Sequence, residues 1–199
     1  MLAPMSSRLP AGIAVAGQLA FIAAWAVAGA AEPGYSTARQ TVSELFAGTA
    51  AHPWVMRAGL LALVPSYLAA AVLARRLLAP RGAATFVLLA LAAPLVVAVL
   101  VNPLDCMTNG SAACADGPDS HYAAAVALQL TLVATPFTAA WALRGRCWCG
   151  PALALGALGV LGIAWFSVAG DATHGIAQRA MFGTVTAWIV FLAWIGSRP

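Results

Sequence analysis

Residues 102–121 read NPLDCMTNGSAACADGPDSH, and this polar stretch between two long apolar runs decides how the chain divides. It holds Asp105, Asp116 and Asp119 of the six acids, Cys106 and Cys114 of the four cysteines, and His121 of the three histidines. Groups that water solvates this strongly are costly in hydrocarbon, so the stretch reads as a connection outside a membrane. Working outward from it, apolar runs cover about 83–101, 54–73 and 11–31 on one side and about 122–143, 151–169 and 176–195 on the other. Each is near the length, about 20 residues, at which a helix crosses a bilayer core.

With 62% hydrophobic and only 8% charged residues, the chain cannot cover a soluble globule, whose charged fraction is typically about 25%. The expected fold is all-α: a six-transmembrane helix bundle forming a single integral membrane domain over 1–199, multipass in a bacterial cytoplasmic membrane. Arg8 ahead of the first run and Ala28-Gly29-Ala30 at its end also fit a cleavable secretory signal, although the run is long for one.

Arginine placement orients the bundle. With cytoplasmic N and C termini, the inner segments carry Arg8, Arg75, Arg76, Arg81, Arg144, Arg146 and Arg198, and the outer ones Arg39, Arg57 and Arg179. An excess of basic residues on inner loops is the usual determinant of topology. All six acids and all three histidines then lie outside. The net charge of +4 is a topological signal, and no basic groove with interleaved aromatics suggests nucleic acid.

In the first outer connection, Glu32-Pro33-Gly34-Tyr35 reads as a turn, and Ser36 to Gly48 as a short interfacial helix with an apolar edge at Val42, Leu45 and Phe46. Pro65, Pro94 and Pro136 fall inside spans, where neighbours or hydroxyls can re-satisfy the freed carbonyls. Cys106 and Cys114 on an oxidising face suit a disulfide, against the alternative of two free thiols. Cys147-Trp148-Cys149 on the cytoplasmic side reads as reduced thiols beside an interfacial tryptophan, since two ligands alone make a weak metal site.

The candidate chemistry gathers in three outer patches. Glu44, Asp105, His121 and His174 sit at span edges, from which side chains can turn into the bundle, and are the candidate acid–base groups. Arg39, Ser43, Asp171, Gln178 and Arg179 are candidate substrate contacts; His174 and Gln178, four apart, share a helix face with Asp171 one turn earlier. His121, His174 and Asp105 could together hold zinc or another divalent metal that activates water. The competing expectation is a rim of hydrogen bonds and ion pairs, with Arg39 or Arg179 joining helix ends to Glu44, Asp105 or Asp171. No H-E-x-x-H or G-x-S-x-G occurs.

T-V-S-E-L at 41–45, N-P-L-D at 102–105, the histidine that opens the fourth span, and H-G-I-A-Q-R at 174–179 resemble the prokaryotic multipass proteins of domain-of-unknown-function family 998. More distantly the pattern resembles the Frag1/DRAM/Sfk1 membrane proteins, some of which are associated with lipid handling. The resemblance implies six helices and an unassigned activity. It singles out Ser43, Glu44, Pro103, Asp105, His121, His174, Gly175, Gln178 and Arg179. The two inserted cysteines depart from the plainer family pattern.

Three classes of function remain open. The first binds a membrane lipid or amphiphilic, isoprenoid-like small molecule in an outward-opening cavity, with lipid head-group hydrolysis or acid-initiated isoprenoid cyclisation as its enzymatic forms. The second is a small-molecule or proton-coupled transporter, for which the spans offer only Gln18, Tyr67, Gln129 and hydroxyls at depth. The third is a non-catalytic accessory protein, with Gly- and Ala-rich faces suited to helix packing and a homo-oligomer.

Overall fold

A computed structural model of the chain describes residues 7–107 and 119–198. The helices are α1 (Arg8–Ala31), α2 (Pro53–Leu77), α3 (Ala83–Val101), α4 (Asp119–Ala142), α5 (Cys149–Val168) and α6 (His174–Gly196), with a 3-10 turn at Ser43–Phe46 and no strand among the described residues. All six are long and apolar enough to cross a membrane. The ends differ from the sequence expectation mostly by a few residues. Thus α2 runs on to Leu77, placing Arg75 and Arg76 in its last turn, where cations complement the helix dipole. Arg75 also lies 5.4 Å over the Phe86 ring of α3.

Consecutive helices pack side by side, α6 returns against α1, and α2 also touches α6 across the ring. One end of the bundle carries the connections from α1 to α2, α3 to α4 and α5 to α6, and is called here the rim end. The opposite, arginine end carries the tight turns at 78–82 and 143–148, the second closed by Gly145 at a left-handed φ of 80°. At this end Trp148 meets Trp194 edge-on at 5.1 Å, beneath the Arg198 guanidinium. Cys147 and Cys149 are free thiols, in line with expectation.

The solid part of the core lies toward the arginine end, where Ala70, Leu73 and Ala74 of α2 bury against Trp188, Ile189 and Leu192 of α6. Between α1 and α2 the backbones come close because position 17 is glycine: a Cβ there would collide with the Ala62 carbonyl. In α4, Pro136 leaves the Leu132 carbonyl without its helical donor. The Thr135 hydroxyl donates to that oxygen at 2.6 Å, so the proline sits inside the span without an orphaned acceptor.

Candidate functional site

The first connection is built by its own polar side chains. Glu32 Oε2 accepts the Ala51 N–H at 2.8 Å, joining its two ends, and Gly34 supplies the left-handed turn with φ 73°. Gln40 Oε1 accepts the Ser36 N–H at 2.9 Å. Glu44 Oε1 accepts the Thr41 N–H at 2.9 Å and the Thr41 hydroxyl at 3.1 Å, while Oε2 accepts Gln40 Nε2 at 3.1 Å. This Thr-x-x-Glu reach-back is the glutamate half of a capping box, satisfying the Thr41 N–H ahead of the helical turn. Val42, Leu45 and Phe46 are buried, so the apolar edge expected here faces protein.

The start of α6 receives this connection. Gly175 lies against the carbonyls of Thr37 and Gln40, with which any Cβ would collide. Ile176 N–H donates to Ala38 O at 3.2 Å, and Gln178 Oε1 accepts the Val42 N–H at 2.6 Å. Arg179 Nη1 donates to the carbonyls of Thr37, Gln40 and Gly175 at 2.8, 3.0 and 2.9 Å, and Nη2 donates to the Tyr35 hydroxyl. Its guanidinium also lies 5.3 Å over the Trp25 ring. Burial pushes the Tyr35 phenol above its ordinary pKa, the nearby Arg179 opposing this, and the neutral hydroxyl donates to Thr41 O at 2.9 Å.

Three of the expected site residues take structural contacts. Glu44 was expected as an acid–base group, yet both of its oxygens are engaged in holding the connection. Gln178 and Arg179 were expected to contact substrate, yet they satisfy the chain's own backbone. Among the described residues these three form a rim of hydrogen bonds, with carbonyls and the Tyr35 hydroxyl rather than carboxylates as the partners of Arg179.

Beneath this connection lies a cavity of about 1110 Å³. Residues from all three rim connections or their helix junctions line it: Arg39, Ser43 and Glu44 from the first, His121 from the second, Asp171 and His174 from the third. Its walls are apolar, including Phe21, Met56, Leu60, Leu132, Phe166 and Met181. The Arg39 side chain is exposed and forms no hydrogen bond or ion pair among the described residues.

His121 is buried at the start of α4 and its Nδ1 lies 2.7 Å from Asn102 O. A carbonyl only accepts, so Nδ1 carries the proton and the neutral ring keeps its lone pair on Nε2. Phe46 packs against the ring at 5.7 Å. His174, half-buried, lies tilted against Phe166 with ring centroids 4.4 Å apart, joining α5 to α6.

Asp105 is exposed and does not line the cavity; its backbone carbonyl abuts Gly48, and the neighbouring Leu104 accepts the Gly48 N–H at 3.0 Å. The expected metal set of His121, His174 and Asp105 is therefore not assembled, and no group of three such ligands occurs among the described residues. Its loop is instead docked on the first connection through Leu104 and Met107 against Ala47 and Ala50. Cys114 and Asp116 lie outside the described residues, and with them one end of the expected Cys106–Cys114 bridge.

Deeper in the bundle is a polar level that the sequence reading set aside. Gln18 Nε2 donates to Ser66 Oγ at 3.0 Å, Ser66 donates to Ala14 O at 2.6 Å, and Thr186 donates to Gln18 Oε1 at 3.0 Å. Gln18, Tyr67, Thr186 and Gln129 all line the cavity. Their visible signal in the sequence is only that they are polar residues in apolar spans.

A protein-family profile described as a protein of unknown function (DUF998) matches residues 15–195. No curated protein and no solved structure matches the chain. These matches lend nothing to the more distant Frag1/DRAM/Sfk1 likeness.

Proposed function

The chain belongs to DUF998, a family of unknown function, and from its own geometry we propose that it binds an amphiphile, with the polar head at the rim and the apolar body inside the bundle. The single observation that carries this is the cavity of about 1110 Å³, polar at the rim, apolar along its walls and polar again at one interior level. Pockets for small apolar ligands combine such walls with few convergent polar groups. Arg39 supplies an uncommitted cation at the rim, so the head favoured is anionic, and His174 lines the same cavity as a hydrogen-bonding group. The positive-inside distribution of arginines supports a rim on the outer face of a cell membrane.

A second reading adds chemistry at the same place. The tautomer fixed on His121 by Asn102 O leaves Nε2 with the lone pair, which suits proton transfer to or from a bound head group. Transport is less favoured, because the interior polar level consists of amides and hydroxyls rather than carboxylates.

The test is to purify the protein, extract it with organic solvent and quantify bound lipid by mass spectrometry, beside Arg39→Ala. The expected result is a stoichiometric anionic amphiphile, reduced about fivefold in the variant, the worth of one charge-assisted contact at a partly wet rim. Empty protein, or binding indifferent to head-group charge, overturns the assignment.

A further inference from the structure

Tyr122, Val126, Leu130, Val133 and Phe137 form one stripe of α4, because steps of four and three residues stay on one side of a helix. Toward the arginine end the stripe meets α5. A Cβ at Gly159 would lie 3.1 Å from Val133, and one at Gly156 would lie 2.8 Å from the Phe137 ring. Toward the rim end the same stripe is uncovered: Tyr122, Val126 and Leu130 are 50%, 56% and 56% exposed while also lining the cavity. On α5, Ile163 and Ser167 continue the face of Gly159 and line the cavity too. The two helices touch at one end and part toward the other, leaving a cleft between cavity and lipid within the span Ser120–Ala142.

A second, independent observation concerns what the cavity would hold. Gln129 is 7% exposed, lines the cavity, and its Nε2 has no hydrogen-bond partner. A buried donor left unpaired is expensive, and an acceptor on a bound molecule would remove the cost. Trp188 Nε1 is also unpaired but does not line the cavity. Helical side chains lean toward the helix N-terminus, so Gln129 reaches back toward the rim end of α4.

We propose that the cavity is loaded sideways from the bilayer by a diacyl glycerolipid, one chain passing between α4 and α5 and an ester carbonyl accepting from Gln129 Nε2. This rests on the amphiphile reading above. A water-borne ligand would need no cleft at hydrocarbon depth. An ester carbonyl is the acceptor that such a lipid carries just below its head group, and a plain hydrocarbon or isoprenoid chain carries none.

The experiment uses the full chain in vesicles doped with a diazirine-bearing diacyl phosphatidylglycerol or its di-ether analogue, with labelled positions mapped by peptide mass spectrometry. The diacyl probe should label cavity residues of α4, α5 and α6. The di-ether probe, lacking the carbonyls, should label them about fivefold less, the worth of one neutral hydrogen bond. Gln129→Leu should make the two probes equal, and Val126→Trp with Ser167→Trp, which narrows the cleft, should suppress both.

Equal labelling of wild type by the two probes overturns the role of Gln129. Undiminished labelling in the narrowed variant overturns the sideways route. Either result leaves the amphiphile reading standing, whereas labelling confined to outward helix faces overturns both. If Gln129→Leu fails to fold, the comparison of probes on wild type still decides.

Discussion

Gln178 Oε1 accepts the backbone N–H of Val42 at 2.6 Å, so a side chain near the start of α6 pins the connection that roofs the cavity. Gly175 and Arg179 share this task from the same end of α6, and the consequences can be measured separately from any activity.

Gly175→Ala inserts a methyl group where the Thr37 and Gln40 carbonyls lie against the backbone. Neither oxygen belongs to a side chain that can swing away. The expected loss is about 2–3 kcal/mol, in the range for overpacked sites, read as a lower thermal midpoint in detergent. An unchanged midpoint would mean that the connection does not sit on α6.

Arg179→Lys retains the charge but gives up the fork that reaches three carbonyls and the Tyr35 hydroxyl. An ammonium is a point donor on a shorter reach, so the substitution should cost about 2 kcal/mol. A binding role alone would instead leave the unfolding midpoint where it is.

Glu44→Gln keeps an oxygen for the Thr41 N–H, whereas Glu44→Ala keeps none. The amide variant should lose under about 1 kcal/mol and the alanine variant about 1–2 kcal/mol, as for other lost caps. Amphiphile binding should survive Glu44→Gln; its abolition with stability intact would return Glu44 to the ligand.

For Tyr35 the sign of the pH effect follows from burial, which raises the phenol pKa above 10.0 in the folded chain. Below pH 10 both folded and unfolded states hold the proton, and the stability linked to it is fully present. Above pH 10 the unfolded chain loses the proton first, so stability falls as pH rises toward the raised folded value. Tyr35→Phe should flatten that alkaline decline in a series of denaturation midpoints; a decline of equal slope would assign it to another group.

The six spans were legible because membrane-crossing length and apolarity are local properties, and the largest shift of an end is at Arg75 and Arg76, which continue α2 to Leu77. Glu44 was visible too, and Thr41-Val42-Ser43-Glu44 has capping-box spacing, a local signal for the structural role its oxygens take. The engagement of Arg179 was not legible, since its partners are backbone carbonyls of Thr37 and Gln40, which look alike at every position. Asp105 sat at a span edge as expected, yet only the docking of Leu104 and Met107 on Ala47 and Ala50 decides that it lines no cavity. Gln129 stood out as polar in a span, while its lack of a partner is a property of the packed bundle.

The most direct test is native mass spectrometry of the purified protein beside Ala125→Trp, which puts an indole into the cavity from α4. Wild type should retain an amphiphile-sized adduct through detergent exchange, and the variant, with helical content unchanged by circular dichroism, should lose it. Adduct retained equally by both proteins, or absent from both, would contradict a bundle that holds an amphiphile in this cavity.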